Sequence, residues 1–172
     1  MAVSELTAPL QLQVEALAAA LRARGWLLTT AESCTGGLIA AACTSLAGSS
    51  DWFERGFVTY SNAAKVDLLG VPAALIEAHG AVSAEVASAM AEGALAHATA
   101  HIAVAVTGVA GPGGGSAAKP VGMVWMAVSV KEKAGRGATE LALLKLAGDR
   151  AAVRRQTLAC AFTALLKAAS SP

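Results

Sequence analysis

One short stretch, residues 26–42, most constrains the fold of this chain, because an apolar run stops there abruptly and a small-residue turn follows. Trp26-Leu27-Leu28 is typical of a buried strand and Leu38-Ile39-Ala40-Ala41-Ala42 of an apolar helix, so the segment predicts a strand, a corner and a helix. Ser33 lies at this corner. Gly36-Gly37 permits a tight turn, and the N–H groups at the start of the helix favour an anion or a developing oxyanion.

The corner also has a purely structural interpretation. Ser33 or Thr35 can cap the helix with a side-chain oxygen, while Gly36 and Gly37 only close the turn. The local pattern supports both interpretations, so the choice between them depends on which side chains the rest of the fold brings to Ser33.

Composition limits the class of protein and its partners. A chain of 172 residues is long enough for one domain over residues 1–172, without an accessory domain. Hydrophobic residues make up 55% and charged residues 15%, so we expect part of the surface to be buried in a homo-oligomer, a dimer or larger. The net charge of +1 provides no basic surface, so DNA and RNA are not expected as partners.

The cysteines and the chain's apolar runs indicate the compartment. Cys34, Cys43 and Cys160 form no C-x-x-C pair and have no histidine at ligand spacing, so we expect neither a disulfide framework nor a metal site. Residues 1–6 lack the pattern of a signal peptide, and no apolar run reaches the roughly 18 residues that span a bilayer. We therefore expect a cytoplasmic protein with reduced thiols, no membrane contact and no cofactor.

Hydrophobic periodicity and turn residues predict the other elements. Strands alternate with helices until a final hairpin, which predicts an α/β fold: a single-domain three-layer α/β/α arrangement whose mixed sheet has a parallel core plus an antiparallel hairpin. The predicted helices cover residues 8–24, 36–46, 61–65 and onward, 71–78, 83–99 and 149 onward. The first predicted strand ends at residue 31, and the others cover residues 57–60, 101–106, 121–130 and 139–146. A charged turn is predicted at residues 131–137, between the last two strands.

Three polar side chains, those of Ser33, Tyr60 and Lys65, lie at or just beyond predicted strand ends. Strand ends of one polarity line a common crevice in an open α/β sheet, so the three can converge. A serine hydroxyl needs a base, and a lysine desolvated in an apolar pocket is neutral enough to act as one, with Tyr60 as a relay or as the direct proton acceptor. The alternative is an ordinary solvated helix lysine.

Other segments are candidates for substrate contacts. Five glycines follow the strand at residues 107–116, where Thr107 and Gly108 begin a ligand-facing loop that matches neither a P-loop nor a dinucleotide fingerprint. Ser49 lies in a small-residue loop that is either structural or ligand-binding. Arg150 and Arg154, four residues apart on one helix face, can clamp a phosphate, face a neighbouring subunit or point to solvent.

Seven motifs lie along the chain. They are A-E-S-C-T-G-G at 31–37, G-S-S at 48–50, F-x-x-G-F-V-T-Y-S-N-x-A-K at 53–65, G-A-V-S at 80–83, T-G-V-A-G-P-G-G-G-S at 107–116, K-P-V-G at 119–122 and G-D-R at 148–150. Together they resemble the CinA C-terminal domain family, over about residues 10–168. The resemblance implies hydrolysis of the carboxamide of nicotinamide mononucleotide, without a metal, to nicotinate mononucleotide and ammonia in pyridine nucleotide recycling.

The resemblance also implies roles for individual residues. Ser33 matches the family's nucleophile, Lys65 matches its base, and Tyr60 occupies the position of the matching tyrosine. The residues expected to contact the oxyanion, ribose or phosphate are Thr35, Gly36, Gly37, Ser49, Asn62, Thr107, Gly108, Arg150 and Arg154. The alternative function is a non-catalytic module of the same family that binds or senses a pyridine nucleotide.

Overall fold

The computed structural model describes residues 7–131 and 138–171, in which five strands and six α-helices follow one another. The strands are β1 (Leu28–Glu32), β2 (Phe53–Val58), β3 (Ile102–Gly108), β4 (Met123–Val130) and β5 (Thr139–Lys145). The helices are α1 (Ala8–Arg24), α2 (Leu38–Thr44), α3 (Asn62–Leu69), α4 (Ala73–His79), α5 (Ala84–Ala96) and α6 (Arg150–Ser170).

The five strands form one mixed sheet in the order β2-β1-β3-β4-β5. β1 is parallel to both β2 and β3, whereas β4 is antiparallel to β3 and β5. Helices α1, α2 and α6 pack on one face, where Val104 and Phe162 belong to the core, and α3, α4 and α5 pack on the other, around Met90 and Ala105. The predicted three-layer α/β/α fold with a parallel core and an antiparallel hairpin is thus confirmed.

The strand order creates a crevice at the carboxyl end of β1. The chain adds β2 on one side of β1 and then returns to add β3 on the other side. Ligands of open α/β sheets bind outside the carboxyl ends of strands at such a switch point. Ser33 follows β1, Thr59 follows β2 and Gly108 ends β3, so the ends of three parallel strands meet there.

The second strand lies earlier in the sequence than predicted. β2 covers Phe53–Val58 rather than residues 57–60, and its pairing with β1 ends where the Thr59 N–H donates to the Glu32 carbonyl. The charged pair Glu54-Arg55 interrupts the apolar pattern by which the strand was predicted. Charged residues are tolerated there because β2 is an edge strand. Tyr60 therefore lies beyond the strand, in the connection to α3.

The start of α2 also differs from the prediction. The helix begins at Leu38 rather than at residue 36. Gly36 and Gly37 have φ angles of 60° and 89°, in the left-handed region that interrupts a helix and favours glycine. The two glycines therefore belong to the corner, not to the helix.

Three helices begin next to the predicted first residues, 61, 83 and 149, each of which is a side-chain N-cap. Ser61, Ser83 and Asp149 precede α3, α5 and α6, and each side-chain oxygen accepts a hydrogen bond from the backbone N–H three residues later, at 3.0, 3.3 and 2.7 Å. Such caps satisfy N–H groups that have no partner inside the helix.

The hairpin of β4 and β5 is confirmed by its antiparallel register, which runs from Met123↔Lys145 to Ser129↔Thr139. The charged turn predicted at residues 131–137 lies, apart from Lys131, outside the described residues. Of the helices that the structure describes, none combines the length and the apolar character needed to cross a membrane.

Candidate active site

Ser33 and Lys65 meet at the carboxyl end of β1. The Lys65 Nζ atom lies 3.1 Å from Ser33 Oγ and donates to the Thr59 carbonyl oxygen at 2.8 Å. Lys65 is only 1% exposed, although lysine is among the residues least often buried. The fold therefore holds a buried amine within hydrogen-bond distance of a half-buried hydroxyl.

The corner holds Ser33 through its backbone. The Ser33 N–H donates to the Val106 carbonyl of β3 at 3.0 Å, and the Ser33 carbonyl accepts from the Gly36 N–H at 3.1 Å. The second bond closes a turn over Cys34 and Thr35, and Gly36 and Gly37 then continue the chain into α2 with positive φ angles. Ser33 is thus anchored to the neighbouring strand on one side and to a tight turn on the other.

Lys65 owes its position to the start of α3. Ser61 caps this helix and the Lys65 N–H donates to the Ser61 carbonyl at 3.2 Å, so Lys65 lies at the fourth helical position. Helical side chains lean toward the N-terminus of their helix, which directs the Lys65 amine back to the end of β2 and to the Thr59 carbonyl.

Burial lowers the pKa of the Lys65 amine below its ordinary value, because the charged form loses its hydration. A negative charge on Cys34 would oppose this effect. Burial, however, raises the pKa of the Cys34 thiol to about 11, so the thiol stays protonated near neutral pH. The neighbouring thiol therefore carries no negative charge that would raise the pKa of Lys65, and it does not compete with Ser33 as a thiolate nucleophile.

The cavity in front of Ser33 and Lys65 has a volume of about 240 Å³. We call it the serine cavity. It brings together seven residues that the sequence singled out, from four separate segments of the chain. They are Ser33, Tyr60, Asn62, Lys65, Thr107, Gly108 and Arg150.

Tyr60 faces the arginine rather than the serine. Its hydroxyl accepts from Arg150 Nη2 at 2.9 Å, and its side chain is 62% exposed. No hydrogen bond joins Tyr60 to Ser33 or Lys65, all of which lie in the described ranges. This geometry favours Lys65 over Tyr60 as the direct proton acceptor.

Thr35, Gly36 and Gly37 do not line the serine cavity. Thr35 is fully buried, and its hydroxyl donates to the Glu32 carboxylate at 2.7 Å. Its carbonyl accepts from Arg154 Nη2 at 2.6 Å. These residues contribute to the corner itself rather than to the cavity: the Thr35 hydroxyl and carbonyl and the Gly36 N–H form hydrogen bonds that hold the backbone next to Ser33.

Ser49 lies at the other end of the sheet. It begins a short 3-10 turn, Ser49–Asp51, just before β2. Trp52, between this turn and β2, accepts a hydrogen bond through its carbonyl from the Leu28 N–H at the start of β1. Ser33 lies at the opposite end of β1. The loop before β2, which carries Ser49, and the corner after β1, which carries Ser33, lie at opposite ends of these parallel strands. Within one chain Ser49 therefore does not reach the serine cavity, and the prediction that it contacts the substrate together with Ser33 is wrong for a single subunit.

A second cavity of about 570 Å³ adjoins the first, and we call it the arginine cavity. Arg150 lines both cavities, and Arg154 lines the second. Neither arginine forms an ion pair with a carboxylate in residues 7–131 or 138–171. The lining of the arginine cavity comprises Gly111, Pro112, Val121, Gly148, Asp149, Arg150, Ala151 and Arg154.

Comparisons with known proteins identify the family. The profile of the CinA C-terminal domain matches residues 11–169. The chain belongs to the CinA C-terminal domain family. It is 56% identical, over 85% of its length and 86% of the relative's, to a protein of Enterobacter agglomerans named nicotinamide-nucleotide amidohydrolase PncC. It is 52% identical to the Escherichia coli K12 protein of that name, over 88% of the chain and 89% of the relative.

A solved structure agrees with this membership. The competence/damage inducible protein CihA from Agrobacterium tumefaciens superposes with a TM-score of 0.90 at 42% identity. The match covers 98% of this chain and 99% of that one. The whole chain therefore has the fold of a CinA-type protein, including the strands that carry the serine cavity.

In this CinA C-terminal domain, a residue that the sequence pattern did not single out organises the corner. Glu32 is fully buried at the end of β1, and its carboxylate accepts from the Ile39 N–H at 3.0 Å and the Ala40 N–H at 2.8 Å. It also accepts from the hydroxyls of Thr35 and Thr30, at 2.7 and 3.3 Å. Glu32 thus takes the helix-capping role that the sequence assigned to Ser33 or Thr35.

This arrangement also limits which helix N–H groups can bind an oxyanion. The sequence predicted N–H groups near Gly36-Gly37 for this role, and two N–H groups slightly further along, those of Ile39 and Ala40, already bind the Glu32 carboxylate. The sequence signal for this role is an acidic residue at the end of a strand that is otherwise uncharged. Buried acids are almost always paired or hydrogen-bonded.

Glu32→Gln is expected to lower the free energy of unfolding by about 2–4 kcal/mol, because the amide NH₂ would face donors that now reach a carboxylate oxygen. The matched control is Glu140→Gln, whose side chain is 67% exposed in a surface pair with Lys167. We expect the control to change stability by less than about 0.5 kcal/mol. Urea unfolding midpoints measure both, and equal effects of the two substitutions would contradict the role of Glu32.

Proposed function

We propose that this protein hydrolyses the carboxamide of nicotinamide mononucleotide to nicotinate mononucleotide and ammonia, as a step of pyridine nucleotide recycling that supplies NAD. The observation that carries the proposal is the 3.1 Å distance between the Lys65 amine and the Ser33 hydroxyl inside a buried site. The relatives named nicotinamide-nucleotide amidohydrolase, 52–56% identical to the chain, support the choice of substrate.

The reaction begins with a proton transfer. Neutral Lys65 takes the proton of Ser33 Oγ as that oxygen attacks the carboxamide carbon, giving a tetrahedral intermediate with a negative oxygen. The Lys65 ammonium then returns the proton to the amide nitrogen, the carbon–nitrogen bond breaks, and ammonia leaves. An ester of Ser33 remains, and water activated by Lys65 hydrolyses it to the carboxylate.

The hydrogen bonds of Lys65 suit this cycle. A neutral amine has two N–H donors and one lone pair. The Thr59 carbonyl accepts one N–H at 2.8 Å, which orients the amine so that the lone pair can face Ser33 Oγ. The same carbonyl also stabilises the ammonium that forms after proton transfer, and so Thr59 serves both protonation states through its backbone.

The substrate itself favours this chemistry. The pyridine ring of nicotinamide mononucleotide is a cation, which withdraws electrons from the carboxamide carbon and makes it easier to attack. A cation close to Lys65 further disfavours the protonated amine. Asn62 lines the serine cavity, and we assign its amide NH₂ as a donor to the developing oxyanion, since the Ile39 and Ala40 N–H groups of α2 already bind Glu32.

A non-catalytic pyridine-nucleotide sensor fits these observations less well. Burying a lysine amine costs free energy, and binding alone gives no reason to place it against a serine hydroxyl. A binding module would favour an exposed, charged lysine that contacts the ligand directly. Lys65 instead is buried and has a lowered pKa, which suits a base.

Ammonia release from nicotinamide mononucleotide tests the proposal. Ser33→Ala is expected to lower kcat by about 10⁴-fold or more, because it removes the nucleophile. Lys65→Met is expected to lower kcat by about 10²- to 10⁴-fold, because it removes the base while keeping an unbranched side chain of similar length. The parent rate should persist in the presence of a chelator.

Matched controls are Ser170→Ala and Lys167→Met, which change exposed residues of α6 and should keep the parent rate. Circular dichroism verifies that all four variants are folded. Parent-like turnover in either Ser33→Ala or Lys65→Met would exclude the serine–lysine mechanism. Binding of the nucleotide without ammonia release by the parent protein would instead support the sensor function.

We also propose that the protein assembles as a homo-oligomer in the cytoplasm. Leu141 and Leu143 of the edge strand β5 are 46% and 37% exposed on the same face of the sheet, next to Trp125 of β4. The three cysteines are free thiols, as in a reducing compartment. Light scattering should give a mass of at least two chains, and a monomer at micromolar concentration would contradict the assembly.

A further inference from the structure

The arginine cavity has the charge and the shape of a site for a phosphate monoester. Arg150 and Arg154 lie four residues apart on α6 and both line the cavity, together with the N-terminal end of that helix, which carries a partial positive charge. Asp149 also lines it, but its Oδ1 accepts from the Ala152 N–H as the cap of α6. The balance of side-chain charge around the cavity is therefore positive, which favours an anion.

Arg154 has hydrogen-bonding capacity that the protein leaves unused. Its Nη2 donates to the Thr35 carbonyl, while its Nε is buried without a partner among the residues that the structure describes. A buried donor without a partner is unfavourable, and a guanidinium binds phosphate oxygens through two or more parallel N–H groups. Arg154 lines the arginine cavity, so a phosphate bound there can accept from guanidinium N–H groups that Thr35 does not use.

The same arginine also contacts the corner that carries Ser33. Arg154 Nη2 reaches the Thr35 carbonyl at 2.6 Å, and the Thr35 hydroxyl reaches Glu32 at 2.7 Å. The next residue, Gly36, closes the turn onto the Ser33 carbonyl. A continuous set of hydrogen bonds therefore runs from the arginine cavity to the backbone of Ser33, through a turn of four residues.

Arg150 forms a second connection between the two cavities. Its Nη1 donates to the Gly111 carbonyl at 3.0 Å and its Nη2 to the Tyr60 hydroxyl at 2.9 Å. Tyr60 directly follows Thr59, whose carbonyl orients the Lys65 amine. One arginine thus contacts the corner of the nucleophile, and the other contacts the segment that holds the base.

We propose that the phosphate of the substrate binds in the arginine cavity, holds Arg154 in place and thereby aligns Ser33 with Lys65. Arg154 is then a positioning residue, and the phosphate accelerates the chemical step. This inference rests on the proposed deamidation of a pyridine mononucleotide. Binding energy from a remote group is then used at the reacting centre, and a substrate that lacks the group loses kcat as well as affinity.

The test separates the phosphate from the rest of the substrate. The parent protein is assayed with nicotinamide mononucleotide, with nicotinamide riboside, and with the riboside plus inorganic phosphite, a dianion that can occupy the arginine cavity alone. We expect the riboside to have a kcat at least about tenfold lower than the mononucleotide, and phosphite to raise riboside turnover at least about tenfold with saturation.

Variants identify the residue responsible. Arg154→Lys keeps the charge but loses the paired N–H geometry, so it should lower kcat for the mononucleotide and abolish activation by phosphite. The control is Arg155→Lys, an exposed neighbour on the same helix, which should leave both measurements unchanged. Guanidinium ion added to Arg154→Ala should restore part of the lost kcat.

The outcomes separate the inference from the function on which it rests. No ammonia from the mononucleotide with the parent protein would overturn the proposed function itself. Turnover of the mononucleotide with an equal kcat for the riboside, or with no activation of riboside turnover by phosphite, would overturn the inference alone. An effect of Arg154→Lys on KM with kcat and phosphite activation preserved would reduce Arg154 to a simple binding residue.

Discussion

The arrangement of the whole site depends on one buried amine. Lys65 Nζ lies between the Thr59 carbonyl and the Ser33 hydroxyl, and burial lowers the pKa of the amine. Burying a lysine there costs free energy, and the Ser61 cap of α3 and the packing of this helix on the sheet offset that cost. If the amine is neutral, a hydroxyl with no histidine nearby acquires a base, and the remaining features of the site serve to keep the two groups together.

A buried carboxylate holds the other half of the pair. Glu32 caps α2 from the end of β1 and binds the hydroxyl of Thr35, so one carboxylate connects the strand, the corner and the helix. Its hydrogen bonds use the N–H groups that a bare helix start would offer to an oxyanion. These bonds tie the corner to the helix, and we propose that side chains of the serine cavity such as Asn62 stabilise the oxyanion.

The sequence predicts the parts of this site that follow from local rules. A strand, two glycines and an apolar helix locate Ser33, and a serine cap after a strand locates Lys65 in the first turns of α3. The sequence does not predict the long-range geometry of the site. The function of Glu32 depends on where the first turn of α2 lies relative to β1, and the position of Ser49 depends on the end of the sheet at which its loop lies. These outcomes arise from tertiary packing, which leaves no periodic signal in the chain.

The most direct measurement is the titration of Lys65 itself, by NMR of protein containing isotope-labelled lysine, with the signal assigned by its loss in Lys65→Met. A lowered pKa in the folded state means that the Lys65 amine deprotonates as pH rises before the exposed lysines do. We expect this signal to titrate at lower pH than the other lysine signals of the folded protein, and we expect unfolding in urea to restore an ordinary value. A Lys65 signal that titrates together with the exposed lysines would contradict the neutral base, and with it the proposed activation of Ser33.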